Sequence, residues 1–134
     1  LGQKLNVGLA IVDKRRPAPG KSQVMNIIGN VKGKNCLLVD DIIDSGGTIV
    51  NAAKALKEKG AKDVYVYVTH GVLSGNAVEQ INNSKIKKLI LTDTIDNSNK
   101  IKKSSKIVVL SISNLMAEAI KRISNSTSVS DLFK

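Results

Sequence analysis

The sequence predicts an α/β fold with a mostly parallel sheet flanked by helices, and two observations predict it. Short apolar runs rich in β-branched residues alternate with segments of helical periodicity, the pattern of strand, helix, strand units joined by crossovers. One of those runs, Val64 to Val68, is apolar at every position, as expected of a central parallel strand buried on both faces. The strands read in order are Val7 to Asp13, Gln23 to Ile28, Asn35 to Asp40, Asp63 to Thr69, Lys88 to Thr92 and Lys106 to Ser111. Ile49, Ala52, Ala53 and Leu56 share one helical face, and Gly60 is a stop, so residues 46–59 form a helix. Ser74 is placed to cap a second helix carrying Ala77, Val78 and Ile81. Asn114 is placed to cap a third carrying Leu115, Met116, Ala119, Ile120 and Ile123. Two polar stretches, Arg15 to Ser22 with its two prolines and Asn97 to Ser105 with its lysines, read as mobile loops.

At 134 residues the chain is one domain, large enough to bury a core without disulfides or a structural metal. A composition of 42% hydrophobic and 24% charged residues is that of a globular chain. Its apolar runs, such as Cys36 to Val39, Val64 to Val68 and Ile107 to Leu110, are too short for a bilayer, so no membrane partner is expected. The single cysteine, Cys36, forbids an internal disulfide and fits a reducing, cytoplasmic compartment. With only one histidine, His70, the paired-imidazole metal centre is excluded too. A metal handled here must be held by oxygen, which points to Mg2+ bound partly through a substrate. The net charge of +10 attracts phosphate in any form, but an aromatic content of 2% leaves nothing to stack on bases. Nucleic acid is therefore not the expected partner. His70 after a buried strand reads as a hydrogen-bonded structural residue, and Cys36 as core.

The chemistry concentrates in LVDDIIDSGGT, Leu38 to Thr48: an apolar strand ends in two adjacent acids, a third follows, and a Ser-Gly-Gly-Thr turn opens the helix. Gly46 and Gly47 let backbone amides approach a phosphate with no Cβ in the way, and Ser45 and Thr48 add hydroxyl donors. The helix directs its free amides and positive dipole end at the same anion. Carboxylates beside a phosphate repel it unless they face hydroxyls or a cation. A sugar phosphate meets both demands, with Asp40 and Asp41 on vicinal ribose hydroxyls and the turn on the 5-phosphate. The competing reading is that the acids only cap the helix start. Upstream, Lys14, Arg15 and Arg16 enter a proline-containing loop; they are either an exposed basic turn or cations that close over a ligand at the carboxyl edge of the sheet.

The Leu38 to Thr48 stretch resembles the phosphoribosyl-binding loop of the type I phosphoribosyltransferase fold. Four further stretches, IVDKRRP at Ile11 to Pro17, VMNIIG at Val24 to Gly29, THGVLSGNAVE at Thr69 to Glu79 and SVSDLF at Ser128 to Phe133, resemble ribose-phosphate pyrophosphokinases in particular, and in their order. The resemblance implies that residues 1–134 are the C-terminal, ribose 5-phosphate-binding domain of such an enzyme. The sheet is then truncated at its N-terminal side, and the half that contributes ATP and metal ligands is absent. The implied reaction moves the β,γ-pyrophosphoryl group of MgATP to the 1-hydroxyl of ribose 5-phosphate, giving phosphoribosyl pyrophosphate and AMP for nucleotide biosynthesis.

On that resemblance Lys14 and Arg16 match the catalytic cations of a flexible loop, and Asp40, Asp41, Asp44, Ser45, Gly46, Gly47 and Thr48 match the sugar-phosphate site. Mg2+ would touch this chain through Asp40 or Asp41 by way of substrate. Ser128 and Ser130 match tail serines that help bind ADP or phosphate as regulators. A homo-oligomer is expected of the full-length enzyme, and the chain alone is expected to be inactive and to self-associate through the sheet surface left bare. A nucleobase phosphoribosyltransferase and a non-catalytic synthetase-associated regulatory subunit are the alternatives. The first would need a base-binding hood, of which the sequence gives no sign.

Overall fold

The chain's last four apolar runs form one parallel sheet, in a computed structural model that describes residues 2–15 and 24–133. The sheet consists of β3 (Asn35–Ile43), β4 (Asp63–Gly71), β5 (Lys88–Thr92) and β6 (Ile107–Leu110). Helices α2 (Gly47–Glu58), α3 (Ala77–Asn83) and α4 (Ser98–Ile101) connect them in turn. Ahead of the sheet lie a short α1 (Gly2–Leu5) and an antiparallel pair, β1 (Ile11–Arg15) and β2 (Val24–Ile28), that forms a separate two-stranded sheet. After it come α5 (Ser113–Ser124) and a 3-10 turn, Ser130–Phe133. No helix among the described residues is long and apolar enough to cross a membrane.

The order of the strands in the sheet is their order in the chain, β3-β4-β5-β6. Parallel neighbours are joined only by crossovers, which are right-handed almost without exception. Strands laid down in chain order therefore receive all their crossover helices on one face. The register makes the consequence visible. Leu38, Val66, Leu89 and Ile107 lie side by side across the covered face. There they join Ile49, Ala53 and Leu56 of α2 and Ala77 and Ile81 of α3 in one core. Val64, Val66 and Val68 are wholly buried, each contributing about 1.5–3 kcal/mol by removal from water.

The next row across, Val39, Tyr67, Ile90 and Val108, faces the other way. Val39 is 54% exposed and Val108 45%, while Tyr65 and Tyr67 are half-buried. The expectation that Val64 to Val68 is covered on both sides is therefore corrected: an all-apolar strand here has one buried face and one bare one, because every connecting helix falls on the same side. The bare surface, by contrast, is as expected, and among the described residues no strand pairs with the outer edge of β3.

Other boundaries also differ from the sequence reading. The first strand begins at Ile11 rather than Val7, where antiparallel pairing to Ile28 starts, and runs to Arg15. β3 does not stop at the acids but continues to Ile43, because Ile42 and Ile43 still have parallel partners in His70 and Gly71. Asn76 and Ile112, not Ser74 and Asn114, occupy the positions before α3 and α5. The apolar stripe of α5 is not packed: Ile120 is 62% and Ile123 67% exposed. Residues 97–105 are not simply a polar loop, since Asn97 is buried and α4 lies among them. The proline-containing stretch from Arg16 to Gln23 lies outside the described residues.

Gly71 ends β4 where the core is tightest. A Cβ there would stand 2.7 Å from Leu91 Cδ1 and 3.2 Å from Asn97 Nδ2. Gly71→Ala is expected to destabilise the fold by about 1–3 kcal/mol through overpacking, measured by urea denaturation. An unchanged midpoint would mean that Leu91 has room to move.

Candidate functional site

The acidic stretch owes its geometry to a change of phase in β3. Cys36 and Leu38 pack against the core, and strict alternation would carry Asp40 inward after them. At the far end, however, it is Ile43, of opposite parity, that is buried, at 2% exposure. The strand changes face between Leu38 and Ile43, and Asp40, Asp41 and Ile42 all come out exposed. β4 changes with it, since burial passes from Val68 to Gly71 at the paired positions. Two adjacent carboxylates are thereby held at the carboxyl end of a strand without either entering the core. The Asp41 backbone N–H donates to Asp40 Oδ1 at 3.0 Å, which orients that carboxylate.

Beyond Ile43 the chain turns sharply into α2. Gly46 stands at the N-cap with φ +83°, a left-handed conformation that costs a residue with a Cβ about 1–2 kcal/mol. Gly46 itself has no side chain to cap the helix, and its backbone opens the first turn. Asp40, Ile42, Ile43, Asp44, Ser45, Gly46, Thr48 and Ile49 line an open concavity of about 220 Å³. Carboxylates, hydroxyls and a helix N-terminus thus share one hollow. The chemistry this offers is acceptance from hydroxyls by the acids and donation to an anion by the hydroxyls and amides.

Of the residues expected at the site, Asp40, Asp44, Ser45, Gly46 and Thr48 meet in this hollow. Asp41 and Gly47 adjoin it in sequence without lining it. Lys14 is described only through its backbone in β1, paired with Met25, and Arg16 lies outside the described residues. Ser128 and Ser130 are exposed near the C-terminus. The Ser128 carbonyl accepts from Arg122 Nη1 at 2.9 Å, and Ser130 opens the final 3-10 turn. Neither lines the hollow. The described residues hold no group of three or more His, Cys, Asp or Glu able to bind a metal on its own.

A second polar group at the same sheet edge joins His70 to Thr94 and Asp93, two residues that the sequence reading does not single out. His70, paired beside Ile42, has Nδ1 2.9 Å from Thr94 Oγ1, and that hydroxyl donates to the Thr69 carbonyl at 3.2 Å. Next to it, Asp93 Oδ1 accepts from the Ile112 backbone N–H at 2.9 Å. Thr92-Asp93-Thr94 at the end of an apolar strand is a smaller version of the Leu38 to Asp41 pattern, and that was the available signal. His70 is hydrogen-bonded, as expected, and Cys36 is half-buried, with burial pushing its thiol pKa up.

A glycine-containing turn at the carboxyl edge of a parallel sheet, with carboxylates beside it, defines an open-sheet α/β domain, the class in which ligands lie beyond the strand ends. More particularly, the chain belongs to the phosphoribosyl synthetase-associated domain family, whose model matches residues 6–134. It is 56% identical over 133 residues to a ribose-phosphate pyrophosphokinase of Bradyrhizobium diazoefficiens, covering 99% of this chain and 42% of the relative. To one of Hyphomonas neptunium it is 62% identical over 125 residues, covering 93% of this chain and 40% of the relative. The crystal structure of phosphoribosylpyrophosphate synthetase from Mycobacterium smegmatis matches with a TM-score of 0.81 at 38% identity, over 93% of this chain and 40% of that one. The chain thus spans about two fifths of the length of these relatives.

The acids outside the hollow make a pH prediction. Hydrogen bonds from the Ser111 hydroxyl and the Ile112 N–H hold the Asp93 carboxyl below its usual range, and hydrogen bonds from Ser98 do the same for Asp96. A lysine, Lys87, does so for Asp63 at 2.7 Å. A carboxyl whose folded pKa is lowered adds stability above its unfolded value of about 3.9 and loses it as pH falls through the folded value. The melting temperature is therefore expected to hold from neutrality to about pH 5 and then fall, less steeply in Asp93→Asn. An identical acid slope in that variant would contradict the role given to Asp93.

Proposed function

We propose that this chain is the C-terminal, ribose 5-phosphate-binding part of a ribose-phosphate diphosphokinase, an enzyme that transfers pyrophosphate from MgATP to the 1-hydroxyl of ribose 5-phosphate. The observation that carries the reading is the hollow at the end of β3, where Asp40 and Asp44 share one concavity with Ser45, Gly46 and Thr48. Support also comes from the pyrophosphokinase names of relatives 56% and 62% identical to it. Those names favour the synthetase over a nucleobase transferase.

In this reading the 5-phosphate sits on the turn Ser45 to Thr48, held by backbone amides at the start of α2 and by the two hydroxyls. Asp40 and Asp41 accept from the ribose 2- and 3-hydroxyls, which turns the 1-hydroxyl toward the nucleotide. Holding the acceptor this way converts a bimolecular encounter into an oriented one. Lys14 and Arg16 supply positive charge to the pyrophosphoryl group as its bond to the leaving AMP lengthens. Two adjacent carboxylates are too few for a protein-only magnesium site but suit an ion held mainly by water and substrate oxygens. Bound there by way of Asp40 or Asp41, Mg2+ would neutralise phosphate charge. Most ATP contacts, the domain that makes them and the subunit contacts of a homo-oligomer are assigned to parts of the enzyme outside this chain. Ser128 and Ser130 are assigned to a regulatory site for ADP or phosphate, and the compartment to the cytoplasm.

Calorimetry with ribose 5-phosphate tests the sugar assignment. Asp40→Asn and Asp41→Asn are each expected to weaken binding by about 1.5–3 kcal/mol, the worth of a hydrogen bond to a charged acceptor. Unchanged affinity in both would remove the acids from the sugar site. In a full-length enzyme, Lys14→Ala and Arg16→Ala are expected to lower kcat more than they raise KM. A rise in KM at constant kcat would make them substrate binders only.

A further inference from the structure

The segment hydrogen-bonded to the Ile43 and Asp44 carbonyls, just before the turn, is held by a residue that is neither in the loop nor in the core pattern. We infer that Asn97, with Lys100, is a positioning residue for the loop Asp44 to Thr48, acting through the strap Gly71 to Ser74 that begins at the last residue of β4. The identity of the ligand rests on the sugar-phosphate reading above; the mechanical link does not.

Asn97 is 3% exposed in a stretch otherwise open to solvent. Its Nδ2 donates to the Gly71 carbonyl at 2.7 Å and to the Ile95 carbonyl at 3.2 Å. Its Oδ1 is buried with no partner among the described residues. Burying an acceptor unpaired is unfavourable, and an apolar side chain of similar size would avoid it. The amide therefore contributes through what it donates. Its approach depends on Gly71, where a Cβ would lie 3.2 Å from Nδ2. Lys100, one turn further on, places Nζ 2.7 Å from the Val72 carbonyl and 3.3 Å from that of Leu73. Three successive carbonyls of the strap are thus held from the α4 side.

With its carbonyls so held, the strap turns its N–H groups toward the loop. Val72 N–H and Leu73 N–H both donate to the Ile43 carbonyl, at 2.9 and 3.3 Å, and Ser74 N–H donates to the Asp44 carbonyl at 3.2 Å. The Asp44 carbonyl belongs to the peptide whose N–H is that of Ser45, so fixing it fixes the first amide of the turn. The strap then runs into α3, whose Ala77 Cβ and carbonyl would stand 3.9 Å from a Cβ at Gly46. Release of the strap frees both the peptide before the turn and the surface behind it.

The test is residue-resolved amide hydrogen exchange on the whole chain, paired with ribose 5-phosphate calorimetry, for the wild type, Asn97→Leu and Lys100→Gln. In both variants exchange at Val72 to Ser74 and at Ser45 to Thr48 is expected to rise about tenfold or more, while Val66 and Leu89 keep their protection, the pattern of a local opening. Affinity for ribose 5-phosphate is expected to fall in parallel. Loop amides that exchange as in the wild type while the strap loosens would overturn the inference. So would a rise at Val66 and Leu89 in proportion, which means general destabilisation. Lys100 is exposed, so Lys100→Gln carries the decision if Asn97→Leu does not fold. A wild-type chain that fails to bind ribose 5-phosphate would remove the sugar-phosphate reading, and the exchange arm would still decide the link between strap and loop.

Discussion

The parallel pairing of β3 with β4, from Asn35 opposite Asp63 to Ile43 opposite Gly71, is the constraint on which the remaining structure depends. It forces a crossover, and the crossover is α2. It also brings the ends of both strands to one edge, so the turn into α2 and the strap toward α3 leave the sheet side by side. Because the two strands change face together, the acids before the turn are turned outward and the pairing resumes beyond them, at Ile42 opposite His70. Loop, strap and helix N-terminus are thus consequences of one register.

The same topology explains what is left open. With four strands in chain order, one face of the sheet carries every connecting helix and the other carries none. Val39 and Val108 stay about half exposed there, and α5 presents Ile120 and Ile123 to solvent. Apolar area of this kind is left exposed because no connecting helix lies over it. The net charge of +10 opposes uncontrolled association between copies.

Much of this was legible in the sequence, and the reasons are physical. Lys88 to Thr92 is a strand with the bounds expected of it, because a short apolar run between polar residues leaves few alternatives. The helix face Ile49, Ala52, Ala53, Leu56 is the buried face. The acidic loop was legible because acids, glycines and hydroxyls at adjacent positions are an expensive combination for a core element and a natural one for a ligand. Burial on both faces of Val64 to Val68 was not legible correctly: apolar character says that a residue can be covered, not that a helix is there to cover it. The continuation of β3 through Asp41 depended on its partner strand, and the role of Asn97 on a glycine 26 residues away that admits it.

The central claim is that one continuous stretch, Asp40 to Thr48, takes a sugar phosphate with its acids on the sugar and its amides on the phosphate. Titration of the isotopically labelled chain with ribose 5-phosphate, inorganic phosphate and ribose, followed by backbone amide resonances, tests it most directly. The account predicts that phosphate alone shifts Ser45 to Thr48, that ribose 5-phosphate also shifts Asp40 and Asp41 and binds more tightly, and that ribose alone binds weakly. Shifts confined to the lysine-rich surface, or equal affinity for ribose 5-phosphate and inorganic phosphate with Asp40 and Asp41 unmoved, would contradict it.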